Sequence, residues 1–267
     1  MNNQKRVDKI LNDIKSVKIQ GARNIAKQAL YAYSLIPTKT TKNKLEKARP
    51  TEPMLVNTLK NYNKLGYKKT LEHFFQAQDK INKLVFKIIK NNSIIFTHCH
   101  STNVLNALIY AKKHGKKFQV YNTETRPLFQ GRLTSKELAK NKIPVTMITD
   151  LSIGDALSNS GKIKKADIVF LGADAIMKNG VINKNGSGMI AQLAWDNKIP
   201  VYILADSWKF SSYPVKIEER NLNEVWNNAP KNIKLKNPAF EFIQEKHITK
   251  IISELGILKL KDFVRKV

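Results

Sequence analysis

The hydrophobic period of this chain changes near residue 90, and no other feature limits its possible folds as much. Upstream, apolar residues recur every three or four positions, as in Val7-Asp-Lys-Ile-Leu-Asn-Asp-Ile-Lys-Ser-Val17 and from Ile25 to Leu35, which predicts amphipathic helices. Pro37 and the polar run Thr38-Lys-Thr-Thr-Lys-Asn43 interrupt them. Pro50 and Pro53 bracket the start of another helix at Met54-Leu55, and Leu71 to Ile89 reads as a long amphipathic helix. Downstream, short β-branched or aromatic runs (Ile94–Phe96, Phe118–Tyr121, Val145–Ile148, Ile168–Leu171, Val201–Leu204) alternate with helical stretches (Asn103–His114, Thr134–Lys140, Gly186–Asn197). Five strands at this rhythm predict a doubly wound parallel sheet, an α/β fold. A last helix is predicted around His247–Leu255. The organisation read from this is a helical unit over residues 1–88 and an α/β unit over 89–267.

Parallel sheets hold their ligands beyond the carboxyl ends of the strands. Two of the predicted strands end on chemistry. Ser93-Ile-Ile-Phe96 runs into Thr97-His-Cys-His-Ser-Thr102, which contains Cys99, the only cysteine; Ile168-Val-Phe-Leu171 runs into Gly172-Ala173-Asp174. A thiol and a carboxyl facing one crevice suit proton transfer. A lone cysteine at a strand end more often packs as a small hydrophobe, and an aspartate there often forms a cap or Asx-turn. Against this, a place before a helix and between two histidines is expected to lower the Cys99 pKa. His98 and His100 would face opposite sides of a continuing strand, and no second Cys/His cluster completes a tetrahedral set, so no metal is expected.

Other segments suit an anion. Gln20-Gly21-Ala22-Arg23 opens a helix, offering free backbone N–H groups and a guanidinium, and Arg49 stands in a turn before Pro50-Thr51. Gly180, Gly186 and Gly188, with Asn183-Lys184 between them, are expected to form a mobile, donor-rich loop. It matches no nucleotide-binding fingerprint.

The net charge of +26 invites a nucleic-acid reading, and residues 1–88 carry half of it, 19 Lys/Arg against 6 Asp/Glu. The excess is mostly lysine, scattered along helical faces with few aromatics between, which reads as a solvated surface that attracts anionic substrates. A single cysteine excludes an internal disulfide framework and fits a reducing, cytoplasmic compartment. The basic amino terminus lacks an apolar stretch, so no secretory signal is expected, and no apolar run approaches the roughly 20 residues that cross a bilayer.

Taken in order, several segments resemble one family. They are Gly21-Ala-Arg-Asn-Ile-Ala26, Arg49-Pro-Thr51, Thr97-His-Cys-His-Ser101, Thr123-Glu-Thr-Arg-Pro127 with Gln130-Gly131, and Gly172-Ala-Asp174. Asn179-Gly180 with Ile182-Asn-Lys184, Trp208-Lys-Phe210, Pro230-Lys-Asn-Ile233 and Asn237-Pro-Ala-Phe240 follow. The family joins ribose-1,5-bisphosphate isomerase, 5-methylthioribose-1-phosphate isomerase and the regulatory subunits of translation initiation factor 2B. The tail looks most like the archaeal ribose-1,5-bisphosphate isomerases of AMP metabolism.

The resemblance implies a small helical domain packed on a Rossmann-like domain, with the active site between them. It implies an aldose–ketose isomerase in which protonated Asp174 donates to the ring oxygen of a furanose. Cys99, as thiolate, moves the C2 proton to C1; a hydride shift is the competing idea. Substrate contacts carry over to Gln20, Gly21, Ala22, Arg23, Arg49, Ser101, Thr102, Asn103, Asn183, Lys184 and Lys209. Two positions depart: Gln20 stands where an arginine is usual and Thr102 where a lysine is usual, each removing a cation. No cofactor is implied. A homodimer or hexamer and activation by AMP are. The alternatives are 5-methylthioribose-1-phosphate isomerase, with the same chemistry, and a non-catalytic alpha-type regulatory subunit that binds initiation factor 2, which the intact Cys99–Asp174 pair disfavours.

Overall fold

The computed structural model describes residues 2–159 and 162–267; Met1, the start of the basic amino terminus read above, lies outside them. Four helices come first: α1 (Asn3–Lys15), α2 (Ala22–Leu35), α3 (Lys39–Ala48) and α4 (Pro53–Ile88). The side chains of Asn2 and Thr38 accept from the backbone N–H groups of Lys5 and Thr41 and so cap α1 and α3. Val7, Ile10, Leu11 and Ile14 bury against Ile25, Ala29, Leu45, Leu55 and Leu59, the stripes that the 3.6-residue period announces. Within α4, Gly66 takes φ 74, a conformation glycine adopts at no steric cost, and breaks the helix into two segments. The second segment leaves the bundle. Ile81, Val85 and Ile89 pack instead with Ile95, Val104, Leu108, Val120 and Phe170. One helix thus serves both units.

The main sheet has seven strands. They are β1 (Ser93–Thr97), β2 (Phe118–Thr123), β3 (Val145–Ile148), β4 (Ile168–Leu171), β7 (Val201–Leu204), β9 (Lys250–Ser253) and β10 (Gly256–Leu258), ordered β10-β9-β7-β4-β1-β2-β3. All neighbours are parallel except β10, which returns antiparallel beside β9. The chain builds outward through β1, β2 and β3, then crosses back to place β4 on the free side of β1. The strand order therefore reverses between β1 and β4, and ligands gather at such a switch point. Alternate residues feed two cores: Ile94, Phe96, Val169 and Leu171 one face, Ile95 and Phe170 the other. Helices α5 (Thr102–Lys113), α6 (Gln130–Lys140), α7 (Ile153–Leu157), α8 (Ser187–Asp196) and α9 (Leu260–Lys266) accompany the sheet.

Two expectations are corrected. The predicted tail helix at His247–Leu255 is instead the strand β9 and the turn after it; the last helix is α9. Ile248, Ile251, Ile252 and Leu255 have helical spacing, but the β-branched run pairs with β7 and is buried there. The glycine-rich loop expected around residues 180–188 is a buried strand, β6 (Gly180–Lys184), in a three-stranded antiparallel sheet with β5 (Ala175–Met177) and β8 (Phe240–Gln244). Pairing on both edges satisfies the β6 backbone, and Val181 packs in the core with Ile176 and Ile243. Among the described residues, no helix is long and apolar enough to cross a membrane.

Candidate active site

Cys99 follows β1 and Asp174 follows β4, so the switch point brings the two predicted groups to one mouth. The approach is close. A Cβ added to Gly172 would lie 2.6 Å from Ser101 Oγ, so a glycine is needed where the end of β4 passes the loop after β1. Both groups line a cavity of about 520 Å³. Every site residue expected from the sequence lines it too: Gln20, Gly21, Ala22, Arg23, Arg49, Ser101, Thr102, Asn103, Asn183, Lys184 and Lys209. The carboxyl ends of the strands form one wall, and the start of α2, the end of α3 and the start of α4 form the other.

Cys99 has φ 66, a left-handed conformation that costs a non-glycine residue on the order of 1–3 kcal/mol and needs outside support. A directed chain of hydrogen bonds supplies it. Cys99 N–H donates to Thr125 Oγ1 (3.0 Å), and the Thr125 and Thr123 hydroxyls are 3.1 Å apart. Thr123 Oγ1 lies 2.5 Å from His98 Nδ1, and His98 Nε2 lies 2.9 Å from the Asn185 carbonyl. That carbonyl only accepts, so Nε2 carries the proton and Nδ1 accepts from Thr123. Asp150 pins the loop beyond by accepting from the N–H groups of Thr125 (2.8 Å) and Arg126 (2.6 Å). Thr134 Oγ1 donates to the Cys99 carbonyl (2.8 Å) and lies 3.0 Å from His100 Nδ1.

Burial overturns the expected low thiol pKa. Burial drives the thiol up to about 12, which outweighs the His100 N–H and the Lys184 charge that favour the thiolate. The flanking histidines do not help. Burial holds His98 down at about 4 and lowers His100 as well, so both are neutral near pH 7. The carboxyl of Asp174 is also raised, first by burial, with Lys209, Arg49 and Lys184 opposing. Resting Cys99 is a thiol.

Cations surround the pair. Lys209 sits in a short turn, Ser207–Lys209, whose carbonyls at Trp208 and on Phe210 accept from Asn57 of α4 (2.7 and 2.9 Å). Its ammonium donates to the Ala173 carbonyl, and burial lowers its pKa. Lys184 is buried on β6, and its Nζ makes no hydrogen bond or ion pair among the described residues. Arg49 is buried and holds Glu218 through Nη2 (2.8 Å), while its Nε and Nη1 have no partner among the described residues. Arg23 is used differently from expectation. Its guanidinium is tied to the Phe74 carbonyl (2.6 Å) and Gln78 Oε1 (2.9 Å), and Asn103 Nδ2 donates to the same Gln78 oxygen (3.0 Å). It locks α2 and α5 to α4.

Sequence reasoning missed Lys18, Glu52, Gln130 and Arg220, all of which line the cavity. Glu52 passed as the residue ahead of a helix. Arg220 lies in a segment with no hydrophobic period, and Gln130 begins α6, four residues before the helix predicted from the pattern.

The family model described as the initiation factor 2 subunit family matches residues 56–260. The chain belongs to that family. It is similar over most of its length to proteins named ribose 1,5-bisphosphate isomerase. The identity is 34% to that of Methanocaldococcus jannaschii (92% of this chain, 89% of that one) and 31% to that of Thermococcus kodakarensis (95% and 91%). A methylthioribose-1-phosphate isomerase of Fervidobacterium nodosum is 33% identical (90% and 78%). Among solved structures, the translation initiation factor eIF-2B of Pyrococcus horikoshii OT3 matches with TM-score 0.83 and 28% identity, covering 95% of this chain and 97% of that one. The relatives thus include proteins named as isomerases and as initiation factors.

Proposed function

We propose that this chain is an aldose–ketose isomerase that converts ribose 1,5-bisphosphate to ribulose 1,5-bisphosphate. The observation that carries the reading is the convergence of Cys99 and Asp174 at the switch point, in one cavity with Arg49, Lys184 and Lys209. Asp174, whose carboxyl burial raises against the pull of Lys209, Arg49 and Lys184, acts as the acid that donates to the ring oxygen as the C1–O bond opens. Cys99 takes the C2 proton and returns it to C1. The proton of the C2 hydroxyl, lost as the ketone forms, restores Asp174, so the cycle closes without net proton exchange. Before the cycle the partly exposed thiol gives up its proton to solvent, and Lys184 is the cation that stabilises the thiolate that takes the C2 proton. Arg49 and Lys209 hold phosphate and developing negative charge, where preorganised donors contribute most.

Lys18, two residues before Gln20, lines the cavity and supplies positive charge that Gln20 and Thr102 lack, which supports a substrate with two phosphates; Arg220 also lines it but is paired with Glu224 and Glu218. One observation favours a second reading, 5-methylthioribose-1-phosphate isomerase: Arg23 is committed to α4 and does not replace the arginine absent at Gln20. Assembly as a homodimer or hexamer and activation by AMP belong to the first reading. The test is ketose formation by purified protein from the two sugar phosphates side by side, with and without AMP. The first reading predicts turnover of the bisphosphate; turnover of the methylthio sugar alone moves the chain to the second.

A further inference from the structure

Glu52 is the least explained group in the cavity. It is 1% exposed and stands directly before α4, yet its side chain makes no capping bond to that helix. One carboxyl oxygen lies 3.6 Å from Arg49 Nη2, too far for a hydrogen bond, because Glu218 already holds that nitrogen at 2.8 Å. The other oxygen is buried with no partner among the described residues, as are Nε and Nη1 of Arg49. Orphaned buried polar atoms are costly, and a ligand that satisfies them accounts for their being kept. A donor pair and an acid oxygen left open together in a cavity fit an oxyanion.

We propose that Glu52 couples proton uptake to the binding of a phosphate ester at Arg49. As a carboxylate it competes with the ligand for the guanidinium and repels it; as a neutral acid it frees Arg49 and donates a hydrogen bond to the bound anion. The proposal rests on the sugar-phosphate reading of the cavity. The groups facing Glu52 are Arg49 from the end of α3, Asp174 beyond β4, Lys209 from its turn and Glu218 from the segment before β8. Burial holds its carboxyl up at about 8, with Asp174 adding to this when ionised, against the pull of Arg49 and Lys209. An anion arriving at Arg49 pushes it higher still. Near pH 8 binding therefore draws a proton from solvent, and affinity falls about tenfold per pH unit above that point.

The test is calorimetric titration of the full chain with ribose 5-phosphate at about one pH unit above the Glu52 value, in two buffers of different ionisation enthalpy. The wild type is expected to take up close to one proton per ligand. Glu52→Gln, which keeps a neutral donor, should bind with no uptake and with affinity independent of pH. Asp174→Asn should keep the uptake. Uptake that persists in Glu52→Gln, no uptake by the wild type, or no binding of ribose 5-phosphate would each overturn the proposal. Because the readout is binding, a failure to isomerise any sugar leaves the proton count intact.

Discussion

Two buried polar clusters flank the reacting groups, and they are built on opposite terms. Around His98, each named group in the chain through Thr123, Thr125 and Asp150 has a partner, and the chain ends on the Cys99 backbone. Around Arg49, two guanidinium nitrogens and a Glu52 oxygen have none among the described residues. The saturated cluster fixes a strained cysteine in place. The unsaturated one is complete only when an anion fills it. The contrast separates groups that hold the site from groups that bind, without reference to any relative.

The predictions test that division, beginning with the largest effect. Asp174→Asn keeps the shape but cannot supply the ring-oxygen proton, so kcat should fall about 10³-fold, with the thermal midpoint held or raised, since a buried acid is removed. Retention of more than about a tenth of the wild-type rate would remove Asp174 from the chemistry. Arg49→Lys should act on binding. It loses the planar fork, and kcat/KM should drop about 10–100-fold, chiefly through KM; an unchanged KM would place the phosphate elsewhere.

The two clusters should also fail at opposite ends of the pH scale. His98 titrates at about 4 when folded and near 6.5 when unfolded, so the unfolded chain binds more protons between those values. Stability is present above pH 6.5 and is lost as pH falls towards 4, by on the order of 3 kcal/mol. Denaturant unfolding at several pH values measures it, and His98→Gln should flatten that slope. Glu52 runs the other way. Its folded value of about 8 lies above the unfolded 4.5, so the folded chain keeps a proton the unfolded one has lost. Stability is full below pH 4.5 and declines as pH rises to 8. Glu52→Gln should therefore stabilise the protein at pH 8 by on the order of 2–4 kcal/mol and change little at pH 4.5. An equal effect at both pH values would mean that Glu52 is ionised throughout.

Much of this was legible in the sequence, for reasons that can be named. Ile94–Phe96 and Ile168–Leu171 are continuous apolar runs because parallel strands are covered on both faces, and residues at their ends face the switch point. Cys99 and Asp174 stand out on that ground alone. The small sheet was illegible because β5 has three residues and β6 begins at a glycine. The tail misled because Ile248, Ile251, Ile252 and Leu255 fit a helix and a strand equally well, and only pairing with β7 decides. Glu52 and Arg220 could not be found from pattern, since neither lies on a periodic element. The thiol pKa was misjudged because adjacency to histidine in sequence says nothing of whether a histidine is charged.

The most direct test of the central claim is to follow ribose 1,5-bisphosphate by NMR with the wild type and with Cys99→Ser. The account predicts ribulose 1,5-bisphosphate from the wild type and a rate lowered at least about 10³-fold in the variant, which still binds the sugar phosphate. Turnover by Cys99→Ser above about a tenth of the wild-type rate, or no ketose from folded wild type, would contradict it.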